Sequence, residues 1–415
     1  MELSSKSYPI TKRMVYEAWK RVKSNRGAAG IDGQSLFDFE ASLSRNLYKI
    51  WNRLASGSYF PPAVRTVGIE KKSGGIRYLG IPTVGDRVAQ TVVKMYLEPI
   101  LDPLFDEDSY GYRPNKSAHQ AVQVTLNRCR RNDWVVEFDI KGAFDNLRHD
   151  LLLKALAKHT DCRWILLYVE RWLKGSVQLE TGEIVQRDIG TPQGGVVSPL
   201  LMNLFMHYAF DSWMRREIPD CSFARYADDA VVHCRSHDQA QRLINRLSDR
   251  FAECGLELHP DKTGYAYCKD SYRKGDWAKV QFTFLGFTFR PRTVVSRYGK
   301  KFVLFLPGAS RDALKHMRQR IRSWHLPRQT PATLDDLSDR YNATLKGWWS
   351  YYGKFYPKAM HDLFYRFQEM LVFWARRKFK RLCRHKNRAF SWLKQQARSS
   401  PHLFIHWGLW YGATE

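Results

Sequence analysis

With 415 residues, 14% of them aromatic, the chain is long enough for about two or three domains and too rich in rings to be a disordered polymer. Its 67 Lys and Arg against 41 Asp and Glu give a formal charge of +26, and the stretch from Ser296 onward carries 24 of the basic residues and 7 of the acidic ones. So basic a chain calls for a polyanion, nucleic acid first, and no apolar run approaches the ~20 residues of a membrane span.

The N-terminus lacks the apolar core of a signal peptide, and the seven Cys are scattered with no Cys-x-x-Cys. Neither a disulfide framework nor a zinc ribbon is supported, and the cytoplasm is the expected compartment. Apolar residues at steps of three and four predict helices over 12–26 and 38–54, the second through Phe39, Leu43, Leu47, Ile50 and Leu54. A Gly-rich loop, Gly27 to Gly33, separates them. Val64 to Pro82 reads as a strand hairpin turning at Gly74-Gly75, with Lys71 and Arg77 beside the turn where they could grip a triphosphate. No Walker spacing is present. Helices are predicted over 86–97 and 117–131, with the polar turn Tyr110-Gly-Tyr-Arg113-Pro114-Asn115 between them.

Trp134-Val-Val-Glu-Phe-Asp139-Ile140 is an apolar strand ending in a carboxylate. Downstream, Phe223-Ala-Arg-Tyr226 and Ala230-Val-Val-His-Cys234 flank Ala227-Asp228-Asp229, which reads as a hairpin with acids at its tip. From residue 134 to about 268 the elements run β-α-β-β-α-β, with an insertion holding Gly190-Thr-Pro-Gln193-Gly194-Gly195 and a helix entry at Ser198-Pro199. In that topology the first and third strands are central, antiparallel neighbours. Asp139 should then converge with Asp228 and Asp229, and clustered carboxylates on rigid strands are hard-cation ligands. His259-Pro-Asp-Lys262-Thr263 is a turn with a Lys available for phosphate, and 282–289 an aromatic strand pair broken at Gly286. Past Ser310 the pattern turns helical and basic. Lys346-Gly-Trp348-Trp349-Ser-Tyr351-Tyr352 interleaves rings with charge and could serve as core or as a base-stacking platform. A basic helical segment over 373–388 includes Arg376, Arg377 and Lys380.

These motifs, in this order, resemble bacterial group II intron reverse transcriptases with a maturase domain. The resemblance rests on Gly30-Ile-Asp-Gly33, Lys71 to Pro82, Gly111-Tyr-Arg-Pro114, Phe138-Asp-Ile-Lys-Gly-Ala-Phe-Asp145 and Thr191-Pro-Gln-Gly-Gly195. It continues through Tyr226-Ala-Asp-Asp229, His259-Pro-Asp-Lys-Thr263, Phe284-Leu-Gly-Phe287 and Gly347-Trp-Trp-Ser-Tyr-Tyr352.

The resemblance implies an α+β right-hand polymerase with a split β-α-β palm, followed by an all-α thumb. It places an N-terminal extension at 1–62, fingers and palm at 63–295, thumb and maturase domain at 296–385, and a basic DNA-binding-like tail at 386–415. Asp139 and Asp228, with the Ile140 carbonyl, would hold two Mg²⁺, with Mn²⁺ able to substitute, and Asp229 would complete the acidic tip. Lys71, Arg77, Arg65, Phe144, Gln193 and Gly194 would line the dNTP pocket, Phe144 acting as a gate against the ribose 2′-hydroxyl. Lys262, Leu285 and Gly286 would lie near the primer terminus. Lys346, Trp348, Trp349, Tyr351, Arg376, Arg377 and Lys380 would contact RNA. The implied partners are group II intron RNA, an RNA template with a DNA primer, and target DNA, with no membrane. Many relatives end in an endonuclease domain with paired Cys; only Cys383 stands in that region, so second-strand cleavage is not expected. A repurposed reverse transcriptase without an intron, and a splicing factor with a decayed polymerase site, remain the alternatives.

Overall fold

The computed structural model describes residues 8–70 and 75–412. The chain divides into two compact units, one of residues up to 128 with 134–265, the other of residues 129–133 with 266 onward. It mixes α and β structure throughout.

The first unit opens with helix Lys12–Asn25, which buries Val15, Ala18, Trp19 and Val22 on one face and is capped by Thr11. The single helix expected over 38–54 is two, Leu36–Ala41 and Leu43–Ala55. Ser42 breaks it at φ −121°, ψ 35°, and a helix-poor Ser is where such a break costs least. Strands Val64–Glu70 and Ile76–Ile81 pair antiparallel as expected, and the two short strands Val177–Gln178 and Ile184–Val185 extend their sheet. The long helix Val84–Leu101 buries Asp86 and Gln90 among its apolar residues.

A second sheet runs Phe223–Tyr226, Asp229–Cys234, Trp134–Phe138, Gly264–Tyr267, so strands two, three, one and four of the β-α-β-β-α-β run lie side by side. Its central pair is antiparallel and fully apolar at Val135, Val136, Val231 and Val232. Helix His237–Glu253 covers one side, where Phe138, Phe210 and Phe251 pack with centroids 5.4–6.2 Å apart. Helix Ser198–Met206 begins at Ser198-Pro199 as predicted and runs into a π-helical turn, His207–Asp211.

In the second unit, strands Phe282–Phe284, Phe287–Val295 and Lys301–Ala309 form an antiparallel sheet. The division drawn from sequence at 295/296 falls at the turn between its two longer strands. Helix Arg311–Ser323 follows, burying Met317 and Ile321 on the predicted stripe, and then helix Leu334–Tyr352. The basic segment over 373–388 is not one helix. Helix His361–Lys378 stops at Phe379 (φ −105°, ψ 114°), and helix Lys386–Ser399 follows a single 3-10 turn. The extended backbone lets the Phe379 ring pack edge-on against Trp374 and Trp392 at 6.0 and 4.9 Å, a burial a continuous helix would forgo. The core here is built on Phe364, Phe367, Trp374, Phe404 and Trp407. Among the described residues no helix is long and apolar enough to cross a membrane.

Candidate active site

Strands Phe223–Tyr226 and Asp229–Cys234 close with Tyr226 opposite Asp229, which leaves Ala227 and Asp228 as a two-residue turn. Ala227 has φ 60°. A side chain there costs roughly 1–2 kcal/mol, and Gly is the usual occupant of such a turn position. Trp134–Phe138 pairs with the same central strand, ending at Phe138 opposite Ala230, so Asp139 and Asp229 are the next residues outward on each strand. The run after Asp139 is pinned. The Asp139 carbonyl accepts the His259 amide at 2.8 Å, Lys141 donates to the Glu257 carbonyl at 2.9 Å, and Ile140 bridges Leu258.

Burial pushes the Asp228 carboxyl upward and the neighbouring Asp139 carboxylate adds to this, while a hydrogen bond from the backbone, Arg77 and Arg225 pull it back. Tyr112 shares this neighbourhood: its ring lies 6.1 Å from Tyr226, and burial, then Asp228, raises its hydroxyl. Lys262 donates from Nζ to Asp139 Oδ2 at 2.6 Å, both side chains being partly exposed. Among the described residues no three His, Cys, Asp or Glu side chains are grouped closely enough to hold an ion. The strand register sets Asp139 and Asp229 at facing positions, the Asp228 carboxyl feels the Asp139 charge, and one Asp139 oxygen is held by a lysine.

The nucleotide-pocket residues assemble in part. Arg77 Nε donates to Gln193 Oε1 at 2.6 Å, and Gln193 Nε2 donates to Asp145 Oδ2 at 3.4 Å. The Gln193 carbonyl accepts the Gly80 amide at 2.6 Å. Gly194 has φ 115°, and a Cβ there would fall 2.2 Å from the Gly80 carbonyl oxygen, so only Gly allows this approach. Phe144 is buried, and its carbonyl accepts the Thr191 amide at 2.7 Å, which ties it to the same loop. Arg65 instead donates from Nη2 to the Ala29 carbonyl at 2.7 Å, bracing the Gly-rich loop. Lys71 lies outside the described residues.

The remaining predicted residues belong to the second unit. Leu285 and Gly286 form the left-handed turn between two strands (φ 52° and 79°), with the Leu285 carbonyl accepting the Tyr351 hydroxyl at 3.0 Å. Trp348 stacks on Trp324, while Trp349 and Tyr351 lie tilted against Phe364 and Phe287, with centroids 5.3–5.9 Å apart. Trp348 and Trp349 are partly buried against their own unit's core and Tyr351 is half-buried, while Lys346 on the same helix is exposed. Arg376, Arg377 and Lys380, with Arg381, Arg384 and His385, line an open cavity of about 490 Å³.

Two groups of residues escape sequence reasoning. Asp86 accepts from Tyr59, Trp172 and Gln90 at 2.8–2.9 Å, and Gln90 Oε1 accepts the Val196 and Val197 amides that follow Gly194-Gly195. Arg225 and Asp211, both fully buried, form an ion pair behind the acidic turn. A charged residue inside an apolar strand or helix is the signal that could have flagged each, because such groups are buried only when paired.

The chain matches the family model of the reverse transcriptase (RNA-dependent DNA polymerase) over residues 69–289 and that of the group II intron maturase-specific domain over 314–392. It is 30% identical over 297 residues to protein YkfC of Escherichia coli, covering 62% of this chain and 77% of that one. It is 36% identical over 250 residues to the group II intron-encoded protein LtrA of Lactococcus lactis, covering 58% of this chain and 40% of that one. The putative COX1/OXI3 intron 1 protein of Saccharomyces cerevisiae is 30% identical over 201 residues, covering 48% of this chain and 24% of that one. The chain thus spans well under two thirds of the intron-encoded relatives named. The acidic hairpin therefore sits in a polymerase domain followed by an intron-specific one: the chain belongs to the reverse transcriptase (RNA-dependent DNA polymerase) family, in its group II intron, maturase-bearing form.

Proposed function

We propose that the first unit extends a DNA primer on an RNA template, and that the second grips group II intron RNA, promoting its splicing and enabling its reverse transcription into target DNA. The observation that carries the reading is the antiparallel pairing that brings Asp139 and Asp228 to one end of a rigid sheet, beside Arg77 and Gln193. Fingers and palm are assigned to 63–295 and the thumb and maturase domain to 296–385, with a basic tail beyond. The compartment proposed is the cytoplasm, which suits seven cysteines that are all free thiols.

The donors suit a hard divalent cation, since the pair is carboxylate and a lysine ammonium already lies against Asp139. Asp139 and Asp228, with the Ile140 carbonyl, would hold two Mg²⁺, and Asp229 completes the acidic tip. When bound, such ions activate the primer 3′-hydroxyl and neutralise the leaving pyrophosphate. Arg77, positioned by Gln193, and Lys71 contribute positive charge for the dNTP triphosphate. Gly194 gives the nucleotide room against the backbone. Lys262, Leu285 and Gly286 attend the primer end, and Arg65 orders the loop beside the template.

The direct test is primer extension by purified protein on an RNA template with dNTPs and Mg²⁺; no product on any primer–template sinks the reading. Two further outcomes are expected. Phe144→Val should raise ribonucleotide relative to deoxynucleotide incorporation, up to on the order of 10²-fold, as expected when steric exclusion of one hydroxyl is relaxed. An unchanged ratio would make Phe144 only a core residue. Lys262→Ala should tighten Mn²⁺ binding to the free protein about two- to fivefold, the scale of a partly exposed ion pair worth up to about 1 kcal/mol. Mn²⁺ titration followed by EPR reads this, and equal affinity would show that the ammonium does not compete for Asp139.

A further inference from the structure

Behind the acidic turn lies a polar network with no access to solvent. Arg225 donates from Nε and Nη2 to the two carboxylate oxygens of Asp211 at 2.7 and 2.5 Å. Its Nη1 donates to Asn203 Oδ1 at 3.1 Å and to the Ala227 carbonyl at 2.8 Å. Both ion-pair side chains are 0% exposed. Asn203 in turn donates from Nδ2 to the Gly111 carbonyl at 2.7 Å.

Two features set this apart from a pair that merely fills the core. The guanidinium holds the carbonyl of Ala227, the residue immediately before Asp228 and one whose backbone is left-handed. A strained turn persists only where its surroundings over-determine it. Gly111 packs against that turn so closely that a Cβ would lie 2.4 Å from the Ala227 amide nitrogen. The turn is thus held by a rigid fork at its Ala227 carbonyl and crowded by backbone at its Ala227 amide, and Asp211 anchors the fork from within the π-helical turn His207–Asp211. Single π-turns inside helices recur at functional sites.

We infer that Arg225, anchored by Asp211 and braced by Asn203, is a positioning residue that fixes the Ala227 turn and thereby the direction in which Asp228 presents its carboxylate. The inference rests on the polymerase reading above. Lysine cannot replace the arginine, because the planar guanidinium meets Asp211 and the turn carbonyl at once, whereas an ammonium is a point charge on a flexible stem.

The experiment compares the parent, Arg225→Lys, Ala227→Gly and the Arg225→Lys/Ala227→Gly pair in primer extension on RNA across a Mg²⁺ titration, with RNA affinity and melting recorded for each. Arg225→Lys should lower kcat roughly 10- to 100-fold, as a small misplacement of a reacting group does, and raise the Mg²⁺ concentration for half-maximal rate. The KM for dNTP and the RNA affinity should stay within about twofold of the parent. Adding Ala227→Gly should restore part of kcat, since Gly holds the left-handed turn without the clamp. A folded Arg225→Lys protein with parental kcat and Mg²⁺ midpoint overturns the inference, as does a loss of kcat with neither a Mg²⁺ shift nor rescue by Gly. Should Arg225→Lys not fold, Asn203→Ser must show the same Mg²⁺ shift in milder form, and its absence overturns the inference too. A parent that extends no primer would instead refute the polymerase reading itself.

Discussion

Asp228→Ala should lower RNA-templated DNA synthesis by at least about 10³-fold, the upper end of what one electrostatic stabiliser contributes to a transition state. Burial, together with the Asp139 carboxylate beside it, disfavours the Asp228 charge in the free protein. Carrying that unfavourable charge makes sense only if a cation offsets it in the working state. The same reasoning predicts that the variant melts no lower than the parent, because Ala removes a disfavoured carboxylate. The Ala227 turn keeps its hydrogen bond from Arg225 in the variant. RNA binding and promotion of splicing should persist, since they are assigned to the second unit. The measurements are primer extension, RNA filter binding and a splicing assay on the same preparation. A variant that extends as well as the parent would remove Asp228 from the chemistry. One that loses RNA affinity along with extension would contradict the division of labour.

The order of strands around this site is legible in the sequence because a split β-α-β run leaves few ways to place its strands, and it carries Asp139 to Asp228 across 88 intervening positions. The apolar stripe of helix Arg311–Ser323 and the entry at Ser198-Pro199 are legible for the same reason: both are local patterns. What escapes depends on partners distant in the chain. Arg225 stands in a four-residue strand where alternation would let it face solvent, and nothing in its neighbourhood reveals that Asp211 waits in a π-turn 14 residues upstream. Lys262 looks like a phosphate ligand until the fold sets its ammonium on Asp139. The helix break at Phe379 is hidden because Arg376 to Arg381 reads as continuous helix, and only the pocket between Trp374 and Trp392 rewards an extended residue there. The rings Trp348, Trp349 and Tyr351 illustrate the same limit, since the helical pattern does not say which faces meet other helices.

Affinity for intron RNA should collapse with salt, falling roughly 10³- to 10⁵-fold between about 50 and 200 mM if six to ten phosphates are contacted. The expectation follows from the surplus of 24 basic over 7 acidic residues beyond Ser296 and from the concentration of Arg377, Lys380, Arg381 and Arg384 around one cavity. That cavity is too open and too charged for an apolar ligand, and its spread of guanidinium groups matches successive phosphates of a folded RNA better than one small anion. Arg376 is the least suitable probe, because its Nε donates to the Cys383 carbonyl at 3.0 Å and its loss would loosen the turn after Phe379. Replacing Arg377, Arg381 and Arg384 together by Gln should reduce the slope of log K against log salt by about 2 to 3, at roughly 0.7 to 0.9 per lost phosphate contact. The melting temperature should barely change, since all three side chains sit at the surface of their unit. An unaltered slope would move the RNA contact elsewhere on the basic unit. A steep loss of affinity with the parental slope would mean that these residues shape the surface without neutralising phosphate, which separates an electrostatic contact from a structural one in a single titration.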